Sequence, residues 1–409
     1  MRCCPARWLA APSTYASSGP RYDLIGFDPR GVGYSTNINC PEPGDNPGPL
    51  PDGPLARDTA RRLYDAQVRD NAACGRSDPA FLAQLTTLNV ARDLDRIRTG
   101  LHERKLNFLG ISWGTWLGVV YRSTFPTSVG RMFLDSVAIP RFSIPAFEKG
   151  RDAAAVALRT GYDTNPRRFT DIDDTFDGDF IALAASQDAP AWPLASQVLK
   201  ELRDATGPTA PPTVKEVVSE PEPPSEPPAD LPEQGNRTMN RAAFCNEDPA
   251  RLGFDAAWAA YRQRLADNPM TSPNRGFSAG CAGWPLPVQQ VRLRPGGGSL
   301  VLSGHRFETP SPYEWTWQTK AIVGGTVYTV NDDVHGSVLR VPECAADLLT
   351  YFTTGEIDHG CAGVPVPTGP DLPSAEALSR TDRAQRIDQR ESLAISSGWT
   401  VADTVVRGT

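Results

Sequence analysis

Between Lys105 and Leu117 the chain reads K-L-N-F-L-G-I-S-W-G-T-W-L, and this stretch leaves little choice of local fold. Leu106, Phe108 and Leu109 form an apolar run with the length of a buried parallel strand. Gly110-Ile111-Ser112-Trp113-Gly114 follows at once, and a helix is expected from Thr115 to Phe125. Strand, G-x-S-x-G and helix together are the setting of a nucleophile elbow. Such a turn is so tight that the positions two residues before and two after the serine must be nearly free of side chain, which is why glycine sits at both. The Ser112 hydroxyl then stands clear of the sheet, and the backbone N–H of Trp113 points where a carbonyl oxygen would become negative. With 35 glycines in the chain the bare pattern arises readily by chance, so the flanking strand and helix carry the weight. A structural turn without chemistry is the alternative.

At 409 residues the chain holds one large α/β domain plus an insertion. A net charge of −7 and a pI near 5.3 argue against a nucleic-acid surface or a polybasic membrane anchor. No apolar run approaches the length of a membrane span, so a soluble protein is expected, and a monomer. Apart from Cys3 and Cys4, the cysteines fall into sequence-local couples: Cys40 with Cys74, Cys245 with Cys281, Cys344 with Cys361. Six cysteines allow many connectivities, and these local pairings are the expected ones. Three such bridges imply an oxidising compartment; reduced, buried cysteines are the alternative. No C-x-x-C or His/Cys cluster suggests a metal.

Read in order, Tyr22 to Asp28 is an expected strand, closed by the loop Pro29-Arg30-Gly31-Val32-Gly33-Tyr34-Ser35. Helices are expected over Pro54–Ala73 and Leu88–Leu101, the second with Val90, Leu94, Ile97 and Leu101 on one face and Thr87 as N-cap. Arg131 to Asp135 reads as a strand. After Pro140 the alternation stops, and helices are expected at Pro145–Gly161, Trp192–Ala205 and Phe254–Asn268. A Pro/Glu-rich stretch from Gly207 to Glu233 is expected to bury little and form a loose loop. The α/β pattern resumes with strand Leu300–Gly304, helix Tyr313–Val323, strand Thr326–Val330 and helix Val341–Phe352. A polar run from Ser374 to Ser392 has helical character.

Several of these segments resemble one family. Asp28-Pro29-Arg30-Gly31-Val32-Gly33-Tyr34-Ser35 is similar to the D-P-R-G-x-G-x-S segment of secreted actinobacterial tripeptidyl aminopeptidases, α/β-hydrolases related to proline iminopeptidases. Gly110 to Thr115 resembles their G-x-S-Y-G-T elbow, with Trp113 in place of the tyrosine. Gly130-Arg131-Met132-Phe133-Leu134-Asp135 and Cys281-Ala282-Gly283-Trp284-Pro285 resemble two later segments, the second in the family's cap. The resemblance implies an α/β-hydrolase fold with a mostly parallel sheet and a helical cap insertion. Its divisions are residues 1–140 and 291–365 for the hydrolase core and 141–290 for the cap, with the loop 207–233; residues 366–409 form a tail of unassigned role.

A serine at neutral pH needs a base within hydrogen-bond reach and a carboxylate to orient that base. In this fold the order is serine, acid, histidine, which excludes His102 among the four histidines; His305 comes before any good acid loop, and His359 lies in the cysteine-closed tail. His335, in the loop Asn331 to Gly336 after a strand, resembles the family's G-H-G loop and is the expected base. The family's acid segment corresponds to Gly304 through Pro312, which gives Glu308 the acid position with one extra residue after Gly304; Asp332, Asp333 and Asp135 remain alternatives. The resemblance thus implies a serine exopeptidase without metal or cofactor, acting on peptides through Ser112, Glu308 and His335, with Trp113 in the oxyanion hole, in an extracellular setting. Glu247 and Asp248, next to Cys245, are candidates for holding a substrate amine, with Trp284 walling the cleft. An esterase of the same fold is the alternative. So is a catalytically impaired protein, because the family's upstream G-G-P-G oxyanion loop and its central strand find no match between Met1 and Arg21. On that ground the chain reads as N-terminally truncated, and a gap or a slip is expected between the strands at Tyr22 and Leu106.

Overall fold

The computed structural model describes residues 22–36, 38–41, 54–145, 167–172, 175–176, 192–218, 237–267, 277–308, 310–364 and 404–408. In chain order these form β1 (Tyr22–Gly26), α1 (Arg57–Ser77), α2 (Pro79–Leu82), α3 (Thr87–Gly100), β2 (Leu106–Ile111), α4 (Trp113–Thr124) and β3 (Val129–Asp135). A short ribbon, β4 (Arg167–Arg168) with β5 (Thr175–Phe176), precedes the cap helices α5 (Trp192–Asp204), α6 (Pro212–Val218), α7 (Arg237–Glu247) and α8 (Phe254–Asp267). The sheet resumes with β6 (Ser299–His305), α9 (Tyr313–Val323), β7 (Thr326–Val330), α10 (Pro342–Thr354) and β8 (Gly360–Cys361), and β9 (Thr404–Gly408) follows.

The strands lie side by side in the order β1-β9-β2-β3-β6-β7-β8. From β2 to β8 every pairing is parallel, in registers such as Leu109 with Phe133 and Phe133 with Val301. The pleat sends alternate residues to opposite faces, and both faces are covered. Phe108, Met132, Leu134, Leu300 and Leu302 pack with Val90 and Leu94 of α3 and Leu117 and Tyr121 of α4. Leu109, Phe133, Val301 and Tyr328 pack with Leu348, Tyr351 and Phe352 of α10. This two-sided burial explains why β2 reads as an unbroken apolar run rather than an alternating one. Helix α4 is buried continuously from Gly114 to Arg122.

Several expectations need correction. The slot beside β2 is filled by β9, antiparallel to both neighbours, with Val405 opposite both Ile25 and Phe108. The tail therefore supplies a strand in place of the expected gap. Thr86, not Thr87, caps α3, its hydroxyl accepting from Asn89 N at 3.2 Å. Within the Pro/Glu-rich stretch, Pro212–Val218 is a helix rather than loose loop. Val214 is buried with Val198 and Leu202, and the Thr213 hydroxyl donates to Glu201 at 2.7 Å. Two apolar anchors and one polar clamp thus outweigh the unfavourable composition of their surroundings. Most of the expected helix Pro145–Gly161 and all of Ser374–Ser392 lie outside the described residues.

All three disulfides pair as the sequence spacing suggested, with Cα separations of 4.8 Å for Cys40–Cys74, 5.2 Å for Cys245–Cys281 and 5.5 Å for Cys344–Cys361. The first two share one buried cluster with Leu82, Leu85 and Trp284, tying α1, the end of α7 and the 281–286 turn together. None of the described helices is long and apolar enough to cross a membrane.

Two outcomes are expected. Replacing Cys344 and Cys361 together by serine should lower unfolding free energy by about 3 kcal/mol, read from denaturant midpoints. Amides along Asn107–Leu109 should exchange slowly with solvent, and deleting residues 404–408 should expose that edge, speeding exchange there and promoting aggregation. Unchanged exchange after the deletion would show that β9 does not protect β2.

Candidate active site

The site begins at the strained turn between β2 and α4. Ser112 has φ 58° and ψ −119°, a conformation that costs a non-glycine residue of order 1–3 kcal/mol and marks functional turns. A Cβ at Gly110 would sit 2.6 Å from the carbonyl oxygen of Gly114, so the turn closes only with glycine at that position. Neighbouring backbone holds the geometry. Ser112 N donates to Asp135 O at 3.0 Å, and the Thr115 hydroxyl donates to Ser112 O at 2.6 Å. Ser112 occupies the N-cap position of α4 without using its hydroxyl as a cap. Trp113 opens the helix, so its N–H belongs to the first turn, at the positive end of the helix dipole.

His335 lies beyond β7, and Glu308 three residues beyond β6. The two meet directly: His335 Nδ1 is hydrogen-bonded to Glu308 Oε1. The histidine side chain is 31% exposed while the glutamate side chain is fully buried, so one side of the ring is open and the other is anchored. Glu308 Oε2 is buried without a hydrogen-bond partner. The extra residue after Gly304 is absorbed by continued pairing past β6, with Arg306 N donating to Val330 O at 2.9 Å and Phe307 N to Asp332 O at 3.0 Å. Gly336, next to His335, has φ 63°, and a Cβ there would lie 2.8 Å from Ile111 Cγ2. The histidine loop therefore rests on the residue immediately before Ser112.

Two of the other candidate acids are engaged elsewhere. Asp135 and Asp332 both bind His305, a residue that sequence order had set aside. Its Nε2 is 2.9 Å from Asp135 Oδ1 and its Nδ1 2.6 Å from Asp332 Oδ1, and all three side chains are essentially inaccessible. Burial alone would lower the His305 pKa, but the charge and hydrogen bond of Asp135, the hydrogen bond to Asp332 and the charge of Glu308 overcome it and raise it well above the ordinary range. For Asp332 burial pushes the other way, yet the bonds from His305 and Ser337 hold its carboxyl below its ordinary value. The sequence carried one signal of this cluster: Asp135, His305 and Asp332 each stand at or just past the C-terminal end of a parallel strand.

Helix α7 of the cap reaches this edge of the sheet. Met239, Asn240, Ala243 and Phe244 share a cleft with Trp113 and with Pro29, Arg30 and Val32 of the D-P-R-G loop. That loop is held by Arg30, which grips Asp93 of α3 through two nitrogens, and by Tyr34 N donating to the Asp28 carboxylate at 2.9 Å. The residues proposed for a substrate amine sit otherwise than expected. Helix α7 runs through Glu247, which turns inward to accept from Thr87 N at the start of α3 and from Trp116 Nε1 at 2.9 Å. Burial raises its carboxyl pKa against both bonds. Asp248 is fully buried, accepts from Ala250 N at 2.9 Å, and has its pKa raised by burial. Its Oδ2 has no partner within strict hydrogen-bond geometry, while the Ile144 N–H and the Arg251 charge act on the carboxyl against the effect of burial. Trp284 is buried as well, donating to Asn246 Oδ1 at 3.0 Å rather than walling a cleft.

Comparison with known proteins agrees with this architecture. The alpha/beta hydrolase fold family matches residues 9–163. Tripeptidyl aminopeptidase of Streptomyces coelicolor is 42% identical over 142 residues, which cover 33% of this chain and 26% of that protein. Serine protease Hip1 of Mycobacterium tuberculosis is 38% identical over 124 residues, covering 29% of this chain and 24% of its own. Carboxylesterase B of Mycobacterium tuberculosis is 24% identical over 391 positions, covering 82% of this chain and 72% of that one. The matched stretch thus spans about a quarter of the length of the tripeptidyl aminopeptidase. The chain has the α/β-hydrolase fold, and a third of it is similar in sequence to tripeptidyl aminopeptidase.

Proposed function

We propose that the chain is a serine hydrolase, and that its substrates are peptides with free N-termini from which it releases short peptides, tripeptides among them. The observation that carries this reading is the bond between Glu308 and His335 Nδ1, in a loop seated on Ile111 beside the strained Ser112. With Nδ1–H directed to Glu308, the remaining ring nitrogen is left as the basic one. In the proposed reaction it takes the Ser112 proton as Oγ attacks the substrate carbonyl. The tetrahedral oxyanion receives the Trp113 N–H, and the imidazolium returns its proton to the leaving amine. Water, activated by the same histidine, then releases the acyl group. No step calls for a metal or cofactor.

The similarity to tripeptidyl aminopeptidase and to Hip1 supports a peptide substrate, and the three disulfides support an extracellular location. An ester substrate is the second reading, favoured by the extent of the match to Carboxylesterase B. Because Glu247 already serves Thr87 and Trp116, we assign it to holding α7 on α3 and retain Asp248 alone as the candidate for reading a substrate amine.

Turnover of a tripeptide p-nitroanilide with a free amine, its acetylated form and p-nitrophenyl butyrate separates these readings. Ser112→Ala and His335→Ala should each abolish activity, and Glu308→Gln should lower kcat by about 10⁴ if the acid fixes the tautomer. A preference for the free amine that collapses in Asp248→Asn supports the aminopeptidase reading; equal cleavage of free and acetylated peptides overturns it. Turnover of the ester alone assigns the esterase reading.

A further inference from the structure

We propose that His305, bridging Asp135 and Asp332 inside the sheet edge, is the positioning residue that fixes the loop carrying His335. It touches no substrate and acts only through that loop. The proposal rests on the serine-hydrolase reading of Ser112, Glu308 and His335.

The geometry of the bridge sets the protonation state. Carboxylates only accept hydrogen bonds, and a neutral imidazole donates from one nitrogen alone. Here both nitrogens face carboxylate oxygens, Nε2 at 2.9 Å from Asp135 and Nδ1 at 2.6 Å from Asp332. With both carboxyls ionised, as the lowered pKa of Asp332 favours on its side, only the imidazolium satisfies both contacts, and it leaves one negative charge on a fully buried trio rather than two. The raised pKa of His305 and the lowered pKa of Asp332 agree with that state. The charged groups acting on the ring are Asp135 from the end of β3, Asp332 from the loop after β7 and Glu308 from the segment after β6 itself.

The two carboxylates in turn hold the chain on both sides of His335. Asp332 accepts from the Ser337 hydroxyl at 2.6 Å, from Val364 N at 2.8 Å and from Val334 N at 3.4 Å. Asp135 accepts from Val338 N at 3.4 Å and from Ser136 N at 3.1 Å, and the Ser136 hydroxyl accepts from Gly336 N at 2.9 Å. Residues 334, 336, 337 and 338 are thereby tied to the pair that His305 joins, while the side chain of His335 itself turns to Glu308. Loss of the His305 proton would place two buried carboxylates against a ring able to serve one of them, and the ties to the loop would shift with them. A misplacement of about 1 Å at a catalytic base can cost on the order of 10²-fold in rate.

The sign of the pH dependence follows. The folded-state pKa of His305 lies above its ordinary value of about 6.5. Its stabilising bridge is complete below that ordinary value and is lost as pH rises through the raised one. Wild-type kcat should therefore fall on an alkaline limb.

The test compares wild type, His305→Gln and Ser337→Ala, using whichever ester or tripeptide amide the wild type turns over and hydrogen exchange of the 334–338 amides. For His305→Gln we expect kcat to fall roughly 10- to 100-fold with KM within about twofold, the alkaline limb to vanish, and Gly336 and Val338 to exchange faster. Ser337→Ala, which removes the hydroxyl bonded to Asp332 and 3.4 Å from His305 Nδ1 but leaves both carboxylate contacts of the ring, should show a smaller fall in kcat with the alkaline limb retained. It also serves where His305→Gln does not fold. A lowered melting temperature with kcat per folded molecule, pH profile and exchange at 336 and 338 unchanged would overturn the proposal. If the wild type hydrolyses nothing, the hydrolase reading fails on its own account, and the exchange comparison alone decides whether His305 holds the loop.

Discussion

The arrangement of this protein depends on the burial of parallel strands on both faces. Phe108, Met132, Leu134 and Leu302 are held under α3 and α4, while Leu109, Phe133 and Val301 are held under α10. Because β2, β3, β6 and β7 run in the same direction and in fixed register, their C-terminal ends meet at one edge. Four separate stretches of chain deliver Ser112, Asp135, His305 with Glu308, and Asp332 with His335 to that edge. A one-residue slip of any one strand would turn that strand's side chains to the opposite face and displace the groups at its end. The placement of these groups is therefore as well defined as the register of the apolar ladder beneath it.

Much of this was legible because local pattern and tertiary demand coincide. The run ending at Ile111 is apolar enough to be buried on both sides, and glycine at 110 admits the turn. Glu308 reaches His335 despite the extra loop residue because the pairing of Arg306 and Phe307 with β7 and its loop takes up the slack. What escaped the sequence was decided at long range. Nothing near Thr404 to Gly408 says that it will pair with strands hundreds of residues earlier. The Pro212–Val218 helix is hidden by its proline- and glutamate-rich neighbours, and its stability comes from Val214 and Glu201 rather than from propensity. Glu247 looks like part of a solvated acidic turn, but its partners, Thr87 and Trp116, lie more than a hundred residues away.

The His305 cluster illustrates the same limit in electrostatic form. Sequence order sets His305 aside as a base, but only the fold shows two carboxylates closing on both of its nitrogens. Buried ionic sets of this kind are a weak source of stability, since the cost of removing charges from water offsets most of their attraction. Their value lies in direction. A buried carboxylate with several fixed donors cannot move without leaving one unmet, so the loop that supplies those donors is held in one place. The cap is held otherwise: the Cys245–Cys281 disulfide and an apolar cluster fix α7 beside the D-P-R-G loop.

The central claim is that Ser112 is an activated nucleophile. Incubation with a fluorophosphonate, followed by peptide mass spectrometry, tests it most directly, since that reagent phosphonylates only serines whose hydroxyl is paired with a working base. The account predicts a single adduct on Ser112 in the wild type, lost in His335→Ala although the hydroxyl remains. An unlabelled Ser112 in folded protein, or equal labelling with and without His335, would contradict it.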